Sequence, residues 1–256
     1  MSGGLGGKAA LVTGASRGIG RAIALEFAAQ GADVALVFRS RADAAAEVVG
    51  AIEKLGRRAL PVQCDISDPN QVEAAFARAE EALGPVSLLA HSAGADTKWA
   101  SVRDLAPADF ASYVGVDLLG AFNAVHAAVR RMHGRGPGCI VAISSIAAQM
   151  CQARNAQGAA AKAGLEALIR VVAREEGRYG IRANVVAVGL TDTDQARVAF
   201  ERWGREATER VIAGIPLQRI AQPEEIARFV AFLAGEGGAY VTGKVIQVDG
   251  GQIISG

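Results

Sequence analysis

"KAALVTGASRGIG", residues 8–20, decides how this chain folds. Its first half is a short apolar run of the kind that forms a buried strand. Its second half is a glycine-rich turn that opens onto Ile19, Ile23 and Phe27 at helical spacing, with Gly31 as the stop. Strand, loop and helix in that order make a phosphate cradle. Gly14 permits the tight turn, Gly18 lets the backbone approach a pyrophosphate, and Gly20 allows the helix to pack closely on the strand. The helix N-terminus supplies N–H donors and the positive end of its dipole. Ser16, Arg17 and Ile19 complete the loop and belong to the expected cofactor contacts. The alternative is a generic turn that holds no ligand.

The alternation continues outward. Apolar runs at 33–38, 59–65, 86–90, 139–144, 182–188 and 244–250 read as further strands. Between them lie helical patterns at 42–56, from Asp68-Pro69 onward with Val72, Phe76 and Leu83 inward, at 107–132 and at 156–178. Strands without polar alternation are buried on both faces, so the sheet is parallel and covered by helices on both sides. The expectation is an α/β chain forming one doubly wound domain over residues 1–256, with seven parallel strands and its ligand crevice at their C-terminal ends. Residues 190–215 are helical rather than sheet-like and read as a substrate lid.

Bulk properties narrow the class. Hydrophobic residues make up 51% of the 256, and the net charge of +1 comes from interleaved acids and bases. This leaves no electrostatic footprint for nucleic acid. Cys64, Cys139 and Cys151 are odd in number and widely spaced, which suits a reduced cytoplasmic protein without disulfides or a metal site. The leader "MSGGLGGK" lacks the pattern of a signal peptide and reads as frayed, and no apolar stretch reaches membrane-spanning length.

The end of the second strand sets cofactor preference. An acid there would hold ribose hydroxyls; this chain has "VFRSR" (37–41) instead. Arg39 and Ser40, with Arg17 nearby, suit a 2′-phosphate, so NADP(H) is expected. The alternative is that Arg39 and Arg41 are solvated surface charges. Asp65, followed by Ile66, ends the third strand and either bonds the adenine amine or caps a turn.

Together the glycine loop, Asp65, "HSAG" (91–94, with Ala93 and Gly94), "ISS" (143–145), Lys162, "VGLTDT" (188–193) and "VTGKVIQVDGG" (241–251) resemble the short-chain dehydrogenase/reductase family over nearly the whole chain. The resemblance implies an Asn, Ser, Tyr, Lys catalytic set. On this chain those positions read Asp117, Ser145, Gly158 and Lys162. It also implies that Ser145 bonds a substrate carbonyl, that Lys162 holds the nicotinamide ribose, that Thr193 holds the carboxamide, and that Gly189 is among the cofactor contacts. Thr193 serves equally as a helix cap, Ser145 as a turn former, and Asp117 as a helix residue without a catalytic part. The missing tyrosine and the valine before Gly189 are departures that suggest an altered site.

Of the three tyrosines, Tyr179 and Tyr240 do not map to the cleft, and Tyr113 lies on a helix that the family uses for subunit contacts. Some enoyl-acyl-carrier-protein reductases of the family carry their tyrosine seven residues before the lysine, where this chain has Asn155. Dienoyl-CoA reductases also lack it at the Gly158 position. Conjugate reduction leaves an enolate that hydrogen-bond donors can stabilise and water can protonate later. The expected reaction is therefore NADP(H)-dependent reduction of an enoyl thioester on coenzyme A or a carrier protein, by a homotetramer in which small residues at the start of helix 156–178 permit close subunit approach. Two alternatives stay open: an oxoacyl or ketone reductase with another proton donor, and a nucleotide-binding relative without turnover.

Overall fold

The computed structural model describes residues 4–254. In chain order the elements are β1 (Ala9–Thr13), α1 (Gly18–Ala29), β2 (Asp33–Phe38), α2 (Ala42–Lys54), β3 (Ala59–Gln63), α3 (Pro69–Leu83), β4 (Val86–His91), α4 (Pro107–Val114), α5 (Ala121–Met132), β5 (Gly138–Ser145), α6 (Ala147–Met150), α7 (Ala156–Glu176), β6 (Ile181–Val188), α8 (Asp194–Trp203), α9 (Arg205–Ala213), α10 (Pro223–Ala234) and β7 (Val245–Val248). All seven strands are parallel, in the order β3-β2-β1-β4-β5-β6-β7. The order reverses between β1 and β4, which opens a crevice above the carboxyl ends of those strands.

The core lies in two layers. On one face Val72 and Phe76 of α3, Ala124 of α5 and Leu165 and Ile169 of α7 cover the sheet. On the other face Ile23 and Phe27 of α1, Ile52 of α2 and Ile226 and Val230 of α10 do so. Continuous burial holds in β1 and β2, whereas only Val62 is buried in β3 and all of β7 is half-buried. The expectation of strands buried on both faces thus fails at the sheet edges, where a strand has one neighbour and partial helix cover. Asp68 caps α3 as its sequence suggested, accepting from the Asn70 and Gln71 amides, with Pro69 at the first position.

Three further departures are informative. The single helix expected over 107–132 is broken into α4, a π-helical segment (Gly115–Gly120) and α5. At Gly120 a side chain would strike Ile66 Cγ1 at 2.8 Å, and Asp117 is drawn inward to 1% exposure. The wider turn accommodates both demands, and such segments cluster at functional sites. Helix α10 was not anticipated, although Pro223, a reciprocal Gln222–Glu225 capping box and Ile226, Val230 and Leu233 at helical spacing announce it. The leader is not frayed at Leu5, which is fully buried and donates its N–H to Gln30 O at 3.1 Å; residues 1–3 lie outside the described residues. No described helix is long and apolar enough to cross a membrane, and the three cysteines are unpaired.

Candidate active site

Above the switch point a cleft of about 690 Å³ collects the expected catalytic and cofactor-binding residues: Gly14, Ser16, Arg17, Gly18, Ile19, Gly20, Arg39, Ser40, Asp65, Ile66, Ala93, Gly94, Ser145, Lys162, Gly189 and Thr193. Its floor is the glycine loop. Gly14 and Gly18 have φ of +69° and +53°, in the left-handed region. A Cβ on Gly14 would lie 2.9 Å from the Ala93 backbone, and one on Gly20 would overlap the Gly14 carbonyl. Gly14 therefore admits the β4 loop, and Gly20 lets α1 close on its own entry turn. At Gly18 only the Thr193 methyl lies close, at 3.3 Å, so that glycine faces the cleft. The first turn of α1 has no side-chain cap and no acid, which leaves its amides available to an anion. These features fit a dinucleotide pyrophosphate.

At the adenosine end the three arginines differ. Arg17 pairs with Asp96 at 3.6 Å and Arg41 with Asp194 of α8 at 3.7 Å, both in exposed, water-screened geometry. Arg39 makes no ion pair among the described residues and lines the cleft beside Ser40, so it is the cation best placed for a 2′-phosphate. Asp65 takes up the turn geometry: its Oδ1 accepts from the Ser67 amide at 2.9 Å and hydroxyl at 2.7 Å. The Ser67 bonds, ahead of Arg39, hold its carboxyl below the usual range. Thr193 is a cap, accepting from the Ala196 amide at 3.3 Å, while its methyl covers Gly18.

The reaction end is built from β5, α7 and the π segment. Ser145 accepts from the Ala147 amide at 3.2 Å, as a turn former does, and its hydroxyl proton is left free to donate into the cleft. Ser144 is committed elsewhere, donating to buried Glu166 at 2.8 Å. Lys162 lies 3.0 Å from Asp117 Oδ1 and 3.4 Å from Ile143 O. Burial is the largest influence and would depress the Lys162 ammonium, but Asp117 and Tyr113 together outweigh it and the net shift is upward. Asp117 Oδ2 also accepts from the Ala95 amide at 2.6 Å, fixing the loop after β4. Asp117 is thus tied to Lys162 and to the loop after β4.

Position 158 is open only in part. A Cβ there would overlap Asn155 Oδ1 and lie 2.9 Å from Asn155 Cγ and Nδ2. Asn155 is 7% exposed and its Oδ1 has no hydrogen-bond partner among the described residues. His91 is excluded as an acid. It is fully buried beneath the cleft, bonds Thr13 Oγ1 at 3.0 Å, and burial followed by Lys162 pushes its pKa down to about 3. Sequence reasoning placed Tyr113 on a helix of subunit contacts and gave it little weight as an acid. Instead of facing a partner subunit it is 8% exposed and lines the cleft with Asp117, Gly158 and Lys162. Its spacing of four residues from Asp117 was the available signal. Over the mouth lie Val198, Ala199, Arg202 and Trp203 of α8, with Trp203 edge-on to Trp99 at 6.2 Å. Neither α8 nor α9 buries a residue.

Known proteins are similar to this chain in sequence and fold. The family described as enoyl-(acyl carrier protein) reductase matches residues 14–252. A short-chain type dehydrogenase/reductase from Picea abies is 36% identical, over 97% of this chain and 93% of that one. The 3-oxoacyl-[acyl-carrier-protein] reductase FabG of Pseudomonas aeruginosa is 38% identical, over 97% and 98%. The crystal structure of a short chain dehydrogenase from Burkholderia cenocepacia in complex with NADP superposes with a TM-score of 0.89 at 37% identity, covering 97% of this chain and 98% of that one. A match of this length, carried by a seven-stranded doubly wound sheet and a glycine cradle, means that the chain belongs to the short-chain dehydrogenase/reductase family.

Proposed function

We propose that the chain is an NADP(H)-dependent reductase of α,β-unsaturated acyl thioesters carried on coenzyme A or a carrier protein. The observation that carries this reading is position 158, where no phenol stands and the Asn155 side chain occupies the space. A carbonyl held by hydrogen-bond donors can accept the charge of conjugate reduction as an enolate, and water can protonate the α-carbon. The family description that matches residues 14–252 points the same way. When bound, the dihydronicotinamide supplies a hydride. Lys162 would hold its ribose, Gly14, Gly18 and the α1 amides its pyrophosphate, and Arg39 its 2′-phosphate. Ser145 would donate to the substrate carbonyl oxygen, and α8 would act as the lid that excludes water.

The test mixes protein and NADPH with enoyl-CoA and 3-oxoacyl-CoA of matched chain length and follows nicotinamide absorbance. Faster turnover of the enoyl thioester is expected. Turnover of the oxoacyl thioester alone would replace this reading with carbonyl reduction, which the Pseudomonas aeruginosa relative and the phenol of Tyr113 in the cleft favour. No turnover with either would favour a nucleotide-binding relative without catalysis.

Three expected results accompany the reading. Ser145→Ala lowers kcat by about 10²–10³-fold if the hydroxyl acts as an oxyanion donor, measured with saturating NADPH. Arg39→Asp weakens NADPH by roughly tenfold or more, the low end for a hydrogen bond to a charged group, and leaves NADH nearly unchanged. Equal losses in a fluorescence titration would remove the 2′-phosphate assignment. The chain also forms a homotetramer: Leu119, Phe122 and Val171 project from the π segment, α5 and α7 at about half exposure or more, a loss of apolar burial that subunit pairing would recover. A monomer by light scattering at micromolar concentration rejects it.

A further inference from the structure

The cleft lacks the acid that carbonyl chemistry calls for at position 158, yet it is not without a phenol. The chain has three tyrosines. Tyr240 is fully exposed, and Tyr179 is more than one-third exposed, tilted against His133 with Arg178 over its ring. Tyr113 alone is buried at the cleft, with Thr97, Asp117, Gly158 and Lys162 along the same wall. It stands one turn before Asp117, where α4 passes into the π segment. Asp117 in turn is 3.0 Å from Lys162. A phenol, a carboxylate and an ammonium thus line one cleft with Gly158.

We infer that Tyr113 is the proton donor of this site, presented from α4 rather than α7 and aimed at the substrate carbonyl oxygen shared with Ser145. The inference rests on the reductase reading but not on which double bond is reduced. In conjugate reduction, hydride added at the β-carbon moves the C=C pair to form a Cα=C bond and sends the C=O π pair to oxygen. The oxygen takes the Tyr113 proton, giving an enol and a phenolate. The enol then returns its proton to the phenolate as the α-carbon takes one from water, so Tyr113 is regenerated and the net uptake is one hydride and one solvent proton. In carbonyl reduction the hydride adds to the carbonyl carbon, the alkoxide keeps the Tyr113 proton, and the phenolate is reprotonated from solvent. Lys162 stabilises the phenolate in both cases. Asp117 holds Lys162 at 3.0 Å.

The charged groups facing the phenol are Asp117 from the π segment and Lys162 from α7; Asp109 of α4 is paired outward with Lys98. Burial, then Asp117, raise the Tyr113 pKa above its ordinary 10.0, against the pull of Lys162 and Thr97. The phenol is therefore protonated at neutral pH, and turnover should fall as pH rises through its titration.

The experiment has two arms on the full-length protein. In the first, tyrosines labelled with carbon-13 at Cζ are titrated by NMR, with Tyr113→Phe assigning one of the three resonances. Expected are a Tyr113 midpoint above the ordinary 10.0, a fall on saturation with NADP+, whose cationic ring would lie near the phenol, and a fall in Asp117→Asn. A Tyr113 resonance indifferent to both NADP+ and Asp117→Asn overturns the proposal, and this arm stands even if no thioester is turned over. In the second, Tyr113→Phe keeps the ring and loses the hydroxyl. NADPH affinity and Tm stay near wild type, kcat falls by roughly 10²–10⁴-fold, and the alkaline limb of the rate profile disappears. A kcat within twofold of wild type with the same alkaline limb overturns it.

Discussion

Asp117→Ala should lower the stability of the fold by about 3–5 kcal/mol, because it strands a buried ammonium. Lys162 is largely buried, and without Asp117 its remaining acceptor is the Ile143 carbonyl at 3.4 Å. The Ala95 amide loses its acceptor as well. At about 2–4 °C per kcal/mol for a chain near this size, the fall in Tm is large enough to read by calorimetry. Removing both charges together, as Asp117→Leu with Lys162→Met, should cost far less, since a buried ion pair replaced by apolar groups is often neutral. The pH dependence has a definite sign. The Lys162 pKa is raised above its ordinary 10.5 in the fold, so the contribution of its protonated form is fully present below 10.5 and is lost as pH climbs through the folded value. The gap between wild type and Asp117→Ala should accordingly narrow only in strong alkali. A Tm within two degrees of wild type at pH 7 would mean that Lys162 does not depend on Asp117.

How far the sequence reveals this site depends on whether a function is written locally. The glycine cradle is local: strand, turn and helix follow one another within residues 8–29, and the positive φ at Gly14 and Gly18 is what their identity requires. Asp65 and Thr193 are local in the same sense, and each makes the short-range bond its type favours. Tyr113 and Asn155 are not. Their meaning depends on α4 and α7 meeting across the cleft and on a π segment that re-aims one wall, and no short-range pattern encodes that crossing. Asp117 was visible as a departure from the family, but its role appears only when Lys162, 45 positions later in the chain (117 to 162), lies 3.0 Å away. The edge strands β3 and β7 misled for a related reason: apolar runs look alike whether one neighbour or two will cover them.

Rebuilding a phenol at position 158 separates the two chemistries. Gly158→Tyr alone should fold less stably, by roughly 1–3 kcal/mol, because its Cβ must displace the Asn155 side chain. Asn155 can be removed at small cost. It precedes α7 but makes no side-chain cap, its Oδ1 has no partner among the described residues, and its Nδ2 bond to Gln152 is long at 3.4 Å. The informative variant is therefore Asn155→Ala with Gly158→Tyr, made in the wild type and in Tyr113→Phe. In the Tyr113→Phe background the new phenol lies one turn before Lys162, and reduction of a 3-oxoacyl thioester should rise by roughly 10²–10⁴-fold, the worth of a positioned acid beside a carbonyl oxygen. Enoyl reduction should not rise in step, because an enolate held by hydrogen-bond donors can be protonated by water and gains less from an added acid. In the wild-type background the gain should be small, since a phenol is already there. A large gain in wild type with none in Tyr113→Phe would mean that the two phenols act together. No gain in either would mean that the carbonyl oxygen does not lie beside Lys162 at all, and that the reaction end of this cleft is elsewhere than Ser145 and α7 imply.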